Sequence, residues 1–448
     1  MQTPFCTLFI YLNEASEGRE RDDLALVASE ILRQRIKGVQ NKKGVWVAPA
    51  FPKIIVVVDE TNCDETKPYW DFMKLCAECT AKRMVPDYIS EKIMKEYKDG
   101  NVYGAMGCRA FLSVWRDPEN GNKPKFWGRF NKRVCTLNLP DVALTIRDKY
   151  YKEGENLLNN EEAMKEFWEL LNERLEMVHR ALLISFDYLK GTKSDVAPIL
   201  WQYGAIARLK PGETIDRFLT GGYSTASLGF VGLFETMMAL TGKPHTDPEN
   251  MEFAENLLKY MKETCDKWNK IPGENYGFSL YGTPEESTTE KFAKSLQKRH
   301  GTIKDITDKM YVINSYHTDI KEEVDAFTKL KNESYFQKWT NAGAISYIEM
   351  PNLINNQEAI LSVIKYIYNN CWYAELNSKI DNCHKCGFSG EIKMIKDENN
   401  KLIWECPQCG NRNLSDMTVV RRVCGYLSNA NCCCQGRMAD IGNRVLHL

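Results

Sequence analysis

Two pairs of cysteines near the end of the sequence have the spacing of a metal site. Cys383 and Cys386 form one CxxC motif, and Cys406 and Cys409 form a second. Each motif places two thiolates on one side of a tight turn, and a glycine that tolerates positive φ follows each. Four thiolates provide the tetrahedral sulfur set that zinc prefers and leave no coordination position for a substrate. The spacing therefore predicts a structural zinc ribbon.

A zinc ribbon is also a common nucleic-acid-binding module, so the charge of the chain bears on its function. The 448 residues contain 59 Lys+Arg and 60 Asp+Glu, a formal net charge of −1. Nucleic-acid-binding domains usually carry a basic excess, which this chain lacks. The composition therefore argues against nucleic acid as a partner, and a zinc-ribbon nucleic-acid-binding protein is the less favoured alternative.

A second cysteine-rich stretch closes the sequence. Residues 421–448 read RRVCGYLSNANCCCQGRMADIGNRVLHL, with Cys432–Cys434 directly before Gln435 and Gly436. Three adjacent thiols can ligate metal, form disulfides or exchange electrons, and their spacing does not choose among these roles. The sequence shows no signal peptide and no apolar run near the roughly 20 residues of a membrane helix. These features predict a cytoplasmic protein with no membrane partner, in which cysteines serve metal or redox chemistry.

The elements that must position these residues follow an α/β pattern. Residues 6–12 and 54–58 are short β-rich apolar runs, and the second is continuous, as in a strand buried on both faces. Residues 21–37 between them have helical spacing after an acidic start. Strand–helix–strand order favours a parallel α/β architecture. Amphipathic helices are also predicted at 158–190, 250–269 and 285–299, with a charged surface helix at 321–340.

Several motifs along the chain together resemble one enzyme family. The predicted ribbon leads into RRVCGYL (421–427), and the chain ends in GRMADIGNRVLHL (436–448). YGAMGCRAFLS (103–113) and GRFNKRVCTLNLP (128–140) precede them. In this combination the sequence resembles the anaerobic, class III ribonucleoside-triphosphate reductases, which are glycyl radical enzymes. The resemblance covers essentially the whole chain.

This resemblance implies a fold and a division into domains. The expected fold is a glycyl-radical-enzyme type α/β barrel, incomplete at its N-terminus, with a C-terminal zinc ribbon and a glycyl radical loop. Residues 1–375 would form the catalytic barrel portion, 376–415 the Cys₄ ribbon, and 416–448 the radical loop and tail. Family members normally carry a preceding segment with a regulatory ATP-cone and the first barrel strands, so a separate N-terminal polypeptide is an expected partner.

Aligned from its C-terminus, the resemblance assigns the radical-bearing glycine to Gly436. A Cα radical is stabilised where the flanking amide and carbonyl both delocalise the spin, and glycine permits the required flattening and close approach. The ordinary alternative is a turn glycine that precedes a helix. Family members often have Arg-Pro-hydrophobic-Asn before this glycine, whereas this chain has three cysteines and Gln435.

The resemblance also assigns the residues that would meet the substrate. Cys108 matches the cysteine that carries a transient thiyl radical, because its S–H bond is weak enough for a glycyl radical to abstract the hydrogen. Asn131 matches an asparagine near the ribose, where an amide offers both a donor and an acceptor. The ordinary alternatives are an inert core cysteine and a turn asparagine. Hydroxyl groups that can contact the triphosphate are expected at Ser224, Thr225, Ser227 and Thr283.

The implied reaction is the anaerobic reduction of a ribonucleoside triphosphate, with formate as the reductant. A radical-SAM activase with an iron–sulfur cluster would generate the radical at Gly436, and the enzyme would be a homodimer. Two rival interpretations remain besides the nucleic-acid-binding protein. One is an inactive or partner-dependent fragment of such a reductase, and the other is a glycyl radical enzyme of the pyruvate formate-lyase type, whose motif lacks the Cys₄ ribbon.

Overall fold

The computed structural model describes residues 6–447 apart from 41–43, 45, 48, 50, 274, 285–287, 380, 424 and 430–432. Its helices are α1 (Arg19–Lys37), α2 (Trp70–Arg83), α3 (Glu91–Tyr97), α4 (Leu139–Tyr150), α5 (Glu161–Leu189), α6 (Pro198–Trp201), α7 (Leu233–Thr241), α8 (Pro248–Trp268), α9 (Thr288–His300), α10 (Ala326–Gln337), α11 (Gln357–Asn370) and α12 (Gln435–Asn443). Within these described residues, none of the helices combines the length and apolar character needed to cross a membrane.

The strands of the same part of the chain fall into two larger sheets and several short ribbons. They are β1 (Thr7–Ile10), β2 (Val39–Gln40), β3 (Trp46–Val47), β4 (Lys53–Val58), β5 (Asp87–Ser90), β6 (Arg116–Asp117), β7 (Lys123–Pro124), β8 (Asn131–Asn138), β9 (Thr225–Val231), β10 (Phe278–Gly282), β11 (Ser346–Met350), β12 (Tyr373–Ser378), β13 (Asp381–Cys383), β14 (Ser389–Gly390), β15 (Lys393–Lys396), β16 (Leu402–Glu405), β17 (Met417–Thr418), β18 (Val420–Val423) and β19 (Tyr426–Asn429).

The first large sheet has the order β1-β4-β5-β12-β11. Strands β1, β4 and β5 are parallel, β12 is antiparallel to β5, and β11 is parallel to β12. Every residue of β4 is buried, because Ile55 packs in one hydrophobic core while Ile54, Val56 and Val58 pack in another. The predicted strand–helix–strand unit and its strand buried on both faces are confirmed.

The second large sheet contains the parallel strands β10, β9 and β8 in that order. One of its faces packs on α5, whose buried residues recur every three or four positions from Ala163 to Phe186. The side chain of Asn160 accepts a hydrogen bond from the N–H of Ala163 and caps the first turn of this helix. The long amphipathic helix predicted at 158–190 is confirmed.

The two large sheets do not close into one barrel within the described residues. They approach each other at Gly343, which forms isolated bridges with Ala110 and with Tyr281 of β10. A Cβ at Gly343 would overlap the ring of Tyr281 and the carbonyl of Arg109, so only glycine fits there. The outer edges of the sheets, β1 and β8, pair with no further strand in this part of the chain.

Helix α10 differs from the charged surface helix that the sequence predicts. Leu330 and Phe336 are fully buried, and so is the carboxylate of Glu333. Lys329 forms an ion pair with Glu333 one turn away, and the ring of His317 lies 3.1 Å from the same carboxylate. Because these charges neutralise each other, a helix of polar composition packs inside the protein.

The cysteine-rich segment forms a small module with its own core. Strands β14, β13 and β17 form one sheet, and β15 and β16 form a hairpin beside it. Met438 and Ile441 of α12 pack in this core together with Trp404, Cys383 and Cys406. The ribbon at 376–415 and the tail at 416–448 stay predictions as domains, but they share this sheet and this core.

Candidate functional site

The four cysteines of the two CxxC motifs converge on one point. The sulfur of Cys383 lies 3.8 Å from that of Cys409, and the sulfur of Cys386 lies 3.7 Å from that of Cys406. All four sulfurs lie within 4.8 Å of one another. A tetrahedral ion with Zn–S bonds of about 2.3 Å requires S···S separations of about 3.8 Å. The geometry therefore fits a four-coordinate metal ion and suits zinc.

Two matching turns bring these sulfurs together. The N–H of Gly387 donates to the carbonyl of Cys383, and the N–H of Gly410 donates to that of Cys406, both at 2.9 Å. Burial raises the pKa of the Cys383 thiol, but the N–H groups of Cys386 and of the Asn411 side chain outweigh burial and lower it to about 6. The Cys383 thiolate is thus favoured near neutral pH even before a metal binds.

Removal of the four sulfurs should remove the metal. The purified protein should hold about one zinc per chain, because the four thiolates saturate a tetrahedral ion. In Cys406→Ser and Cys409→Ser the zinc content should fall to near zero, and the small module should unfold, as measured by elemental analysis and hydrogen exchange. Cys6→Ser is the matched control, since this exposed cysteine lies outside the cluster. Zinc that persists after all four ligands are changed would contradict the assignment.

Cys108 lies at the tip of a tight loop between β5 and β8. Met106 and Ala110 pair across the tip through backbone hydrogen bonds of 2.7 and 3.2 Å. Gly107 adopts a φ of 59° next to Cys108, which allows this reversal. Aromatic packing holds the base of the loop, where the ring of Phe111 lies 4.5 Å from that of Trp372. The chain thereby presents Cys108 on a short, well-anchored turn.

A group of buried charges lies directly beneath the Cys108 backbone. The ammonium of Lys53 donates to the carbonyl of Cys108 at 2.8 Å and lies 2.9 Å from Asp87 and 3.1 Å from Glu375. The hydroxyl of Tyr373 donates to the same Asp87 at 2.9 Å. Burial alone lowers the pKa of Lys53, but Asp87 and Glu375 hold it above its ordinary value. The lysine is therefore a charged donor.

The hairpin of β18 and β19 enters the same group of charges through Arg422. Its guanidinium lies 3.1 Å from Asp87 and 3.2 Å from Glu375, and it donates to the side chain of Asn377 at 2.7 Å. The neighbouring Arg421 points to the other side of the strand and binds Asp381 of the metal module through both nitrogens. The two adjacent arginines thus attach β18 both to the metal module and to the buried charges beneath Cys108.

Gly425 forms the turn of this hairpin and contacts Cys108. A Cβ at Gly425 would lie 2.8 Å from the carbonyl oxygen of Cys108 and 3.2 Å from its Cα. Gly425 is buried and has a φ of 106°, a conformation that side chains rarely adopt. The hydrogen that replaces a side chain on Gly425 therefore points at the Cys108 backbone. Sequence analysis missed this glycine, although it lies within the RRVCGYL motif.

Gly436 lies in different surroundings. It is the second residue of α12, and its N–H donates to the Glu290 carboxylate at 2.9 Å. A Cβ at Gly436 would meet the Met310 carbonyl at 2.6 Å and Glu290 at 2.7 Å. Met438 and Ile441 of the same helix pack in the core of the metal module. The glycine that the structure brings against Cys108 is Gly425, whereas the nearest groups to Gly436 are Glu290 and Met310.

Polar groups predicted to meet a substrate line the second face of the three-stranded sheet. The side-chain amide of Asn131 donates to the hydroxyl of Ser227 at 3.0 Å, and the hydroxyls of Thr136 and Thr283 lie 3.3 Å apart. A Cβ at Gly229 would overlap Thr283, so this part of the sheet has room only for a small residue. β10 of this sheet reaches the Cys108 loop at Gly343.

Two further predicted substrate residues have different environments. The hydroxyl of Thr225 is buried at the start of β9 and has no hydrogen-bond partner among the residues that the structure describes. The hydroxyl of Ser224 donates to the Phe218 carbonyl at 2.6 Å and is fully buried. The Thr225 hydroxyl can therefore still form a hydrogen bond with a ligand. The Ser224 hydroxyl already donates its proton to the preceding loop.

Comparisons with known proteins identify the family of this chain. Residues 1–447 match the family model described as anaerobic ribonucleoside-triphosphate reductase. The anaerobic ribonucleoside-triphosphate reductase of Escherichia coli K12 is 34% identical over 454 residues, which cover 100% of this chain and 59% of that protein. The enzyme of the same name from Enterobacteria phage T4 is 36% identical over 433 residues, covering 96% of this chain and 66% of its own length.

Solved structures show the same fold. An anaerobic ribonucleotide reductase superposes with a TM-score of 0.65 at 15% identity, over 99% of this chain and 64% of that one. The Thermotoga maritima enzyme, solved with dATP in its specificity site, gives 0.62 at 16% identity, over 96% of this chain and 64% of that one. This chain spans about three fifths of the length of its E. coli relative. On the match across residues 1–447, it belongs to the anaerobic ribonucleoside-triphosphate reductase family.

Proposed function

We propose that this chain reduces ribonucleoside triphosphates to deoxyribonucleoside triphosphates by glycyl and thiyl radical chemistry under anaerobic conditions. Membership of the family supports the reaction. The observation that carries the proposal is that the hairpin of β18 and β19, which precedes Gly436 in the sequence, contacts the backbone of Cys108 at Gly425.

The radical in this proposal is stored at Gly436, the position that the resemblance assigns from the C-terminus. A planar Cα radical needs a position without a side chain, and glycine provides one. When substrate is bound, the hydrogen of the Cys108 thiol moves to Cα of Gly436, which leaves a thiyl radical on Cys108 and a closed-shell glycine. Gly425, which contacts the Cys108 backbone, is the rival position.

The thiyl radical of Cys108 then takes the hydrogen from C3′ of the ribose. Water leaves from C2′, and formate supplies two electrons as it is oxidised to carbon dioxide. Asn131 would orient the ribose hydroxyls, because its side-chain oxygen is buried and accepts no hydrogen bond from any described residue. Thr225, Ser227 and Thr283 are the proposed contacts to the nucleotide, and Ser224 supports them by holding the loop.

Several partners belong to the same proposal. A radical-SAM activase with an iron–sulfur cluster would generate the glycyl radical, and the working enzyme would be a homodimer. Zinc, held by Cys383, Cys386, Cys406 and Cys409, would supply no chemistry to the substrate and would stabilise the module from which the Gly425 hairpin extends. The three-cysteine stretch has no assigned role, and Cys432 lies outside the described residues.

A second candidate is a reductase part that works only with another polypeptide. The outer edges of β1 and β8 pair with no strand among the described residues. Open edges of this kind accept further strands.

An anaerobic turnover assay tests the function and separates the two candidates. The chain would be activated with a radical-SAM activase and given formate and CTP, and deoxynucleotide would be measured by chromatography. We expect product that depends on formate and disappears after exposure to air. A glycyl radical signal without product would favour the partner-dependent candidate, and the absence of both in the presence of an N-terminal polypeptide would overturn the proposal.

A further inference from the structure

A carboxylate of α9 contacts the glycine to which the proposed function assigns the radical. Glu290 accepts a hydrogen bond of 2.9 Å from the N–H of Gly436, the buried second residue of α12. The other oxygen of Glu290 binds the ammonium of Lys294, one turn further along α9. Lys294 and the N–H of Gly436 lower the pKa of Glu290 to about 2, so the group is ionised at neutral pH. The amide of Gly436 is therefore held by a negative charge.

The thiol of Cys434 donates to the same carboxylate. Cys434 is the last of the three adjacent cysteines and is the N-cap residue of α12. Its S–H forms a hydrogen bond with the Glu290 side chain. Burial and this carboxylate raise the pKa of the Cys434 thiol, so the sulfur keeps its hydrogen at neutral pH. One carboxylate thus holds both a thiol hydrogen and the amide of a glycine two residues further on.

A thiol on the same helical turn as a glycyl radical can quench it. Transfer of the Cys434 hydrogen to Cα of Gly436 breaks the S–H bond, forms a C–H bond and leaves the unpaired electron on sulfur. A thiol reductant such as dithiothreitol then returns a hydrogen to that sulfur and keeps the unpaired electron as its own thiyl radical. The chain is left with a closed-shell glycine, and the stored radical is lost.

We propose that Glu290 is a positioning residue that protects the radical at Gly436 by holding the hydrogen of the Cys434 thiol. This role rests on the proposed storage of the radical at Gly436. A hydrogen bond to a charged group is stronger than one between neutral groups, so the S–H stays directed at the carboxylate. A Cβ at Gly436 would lie 2.6 Å from the Met310 carbonyl and 2.7 Å from Cβ of Glu290, so these groups cover one face of the Gly436 Cα.

The main test measures the lifetime of the glycyl radical in Glu290→Ala, in the full activated chain under anaerobic conditions with dithiothreitol. The variant frees the Cys434 thiol and keeps Gly436. The half-life of the EPR doublet should fall on the order of tenfold, because the thiol no longer has to break a hydrogen bond to a charged group before it reacts. The rate of loss should rise with the dithiothreitol concentration. A half-life equal to that of the wild-type protein would overturn the inference.

Removal of the thiol separates protection from a structural role. The double variant Glu290→Ala/Cys434→Ser lacks both the carboxylate and the hydrogen donor, so the radical half-life should return to the wild-type value. A radical that is absent from Glu290→Ala but present in the double variant would also support protection. If the double variant loses its radical as fast as Glu290→Ala, or if neither forms one, Glu290 acts only through the structure around Gly436, and the inference is wrong.

Glu166→Ala is the matched control. This carboxylate of α5 also accepts from a lysine and from a second side chain, those of Lys149 and Tyr150, and it lies outside α9 and α12. Its loss should leave the radical half-life unchanged, and an equal shortening would overturn the inference. If the wild-type chain forms no glycyl radical with its activase, the proposed function itself fails. A stable wild-type radical that Glu290→Ala leaves unaffected would reject the role of Glu290 alone.

Discussion

Gly436→Ala is expected to abolish nucleotide reduction and to remove the EPR doublet of the activated protein. A planar Cα radical needs a position without a side chain, and alanine does not provide one. The added methyl group would also lie 2.6 Å from the Met310 carbonyl and 2.7 Å from Glu290. Turnover should therefore fall to background, as measured by deoxynucleotide formation and spin counting.

Two comparisons make the outcome for Gly436 decisive. Gly242→Ala adds a methyl group at a position where no atom of the described residues lies within 4 Å, so it should retain both the radical and turnover. In the wild-type protein, oxygen should cleave the chain at the radical-bearing glycine, and mass spectrometry should find a C-terminal peptide that starts at Arg437. A peptide that starts at Tyr426 instead would assign the radical to Gly425 and refute the Gly436 proposal.

Cys108→Ala should separate storage of the radical from its use. The variant lacks the thiol that accepts the spin but keeps Gly436, so the EPR doublet should form in near-normal yield. Nucleotide reduction should fall to background, because no other described cysteine is placed at the tip of this loop. The measurement is deoxynucleotide produced per glycyl radical.

Cys135→Ala is the control for the cysteine experiment. Cys135 lies on β8 and packs beside the main core. Its replacement should leave most of the turnover intact and cost a modest amount of stability. Turnover that persists in Cys108→Ala would reject the thiyl assignment, whatever the result for Cys135.

The elements that sequence analysis predicts well are those whose patterns are local. The continuous apolar run predicts β4 because both faces of that strand are buried. The three-to-four residue spacing predicts α5 because one face of that helix is buried. The charged composition of 321–340 predicts a surface helix, whereas α10 buries the side chains of Lys329 and Glu333. Their burial depends on each other and on His317, a residue outside the helix, so no local pattern reports it.

The candidate site also contains contacts between distant residues that a local sequence pattern does not predict. The two CxxC motifs predict the metal centre, since their spacing alone brings the sulfurs together. The contact between Gly425 and Cys108 joins residues more than three hundred positions apart, so no local pattern reports it. The buried charges of Lys53, Asp87, Glu375 and Arg422 come from four distant segments in the same way. Each of these residues is ordinary in its own sequence context.

The adjacent arginines of β18 have a consequence for how the molecule responds to damage. Arg421 forms an ion pair with Asp381 in the cysteine-rich module, and Arg422 forms ion pairs with the buried charges below Cys108. Because only one peptide unit separates the two arginines, a movement of the cysteine-rich module also moves Arg422 and its ion pairs. An oxidant that releases the metal ion from these thiolates would therefore also move the hairpin of β18 and β19 relative to the Cys108 loop.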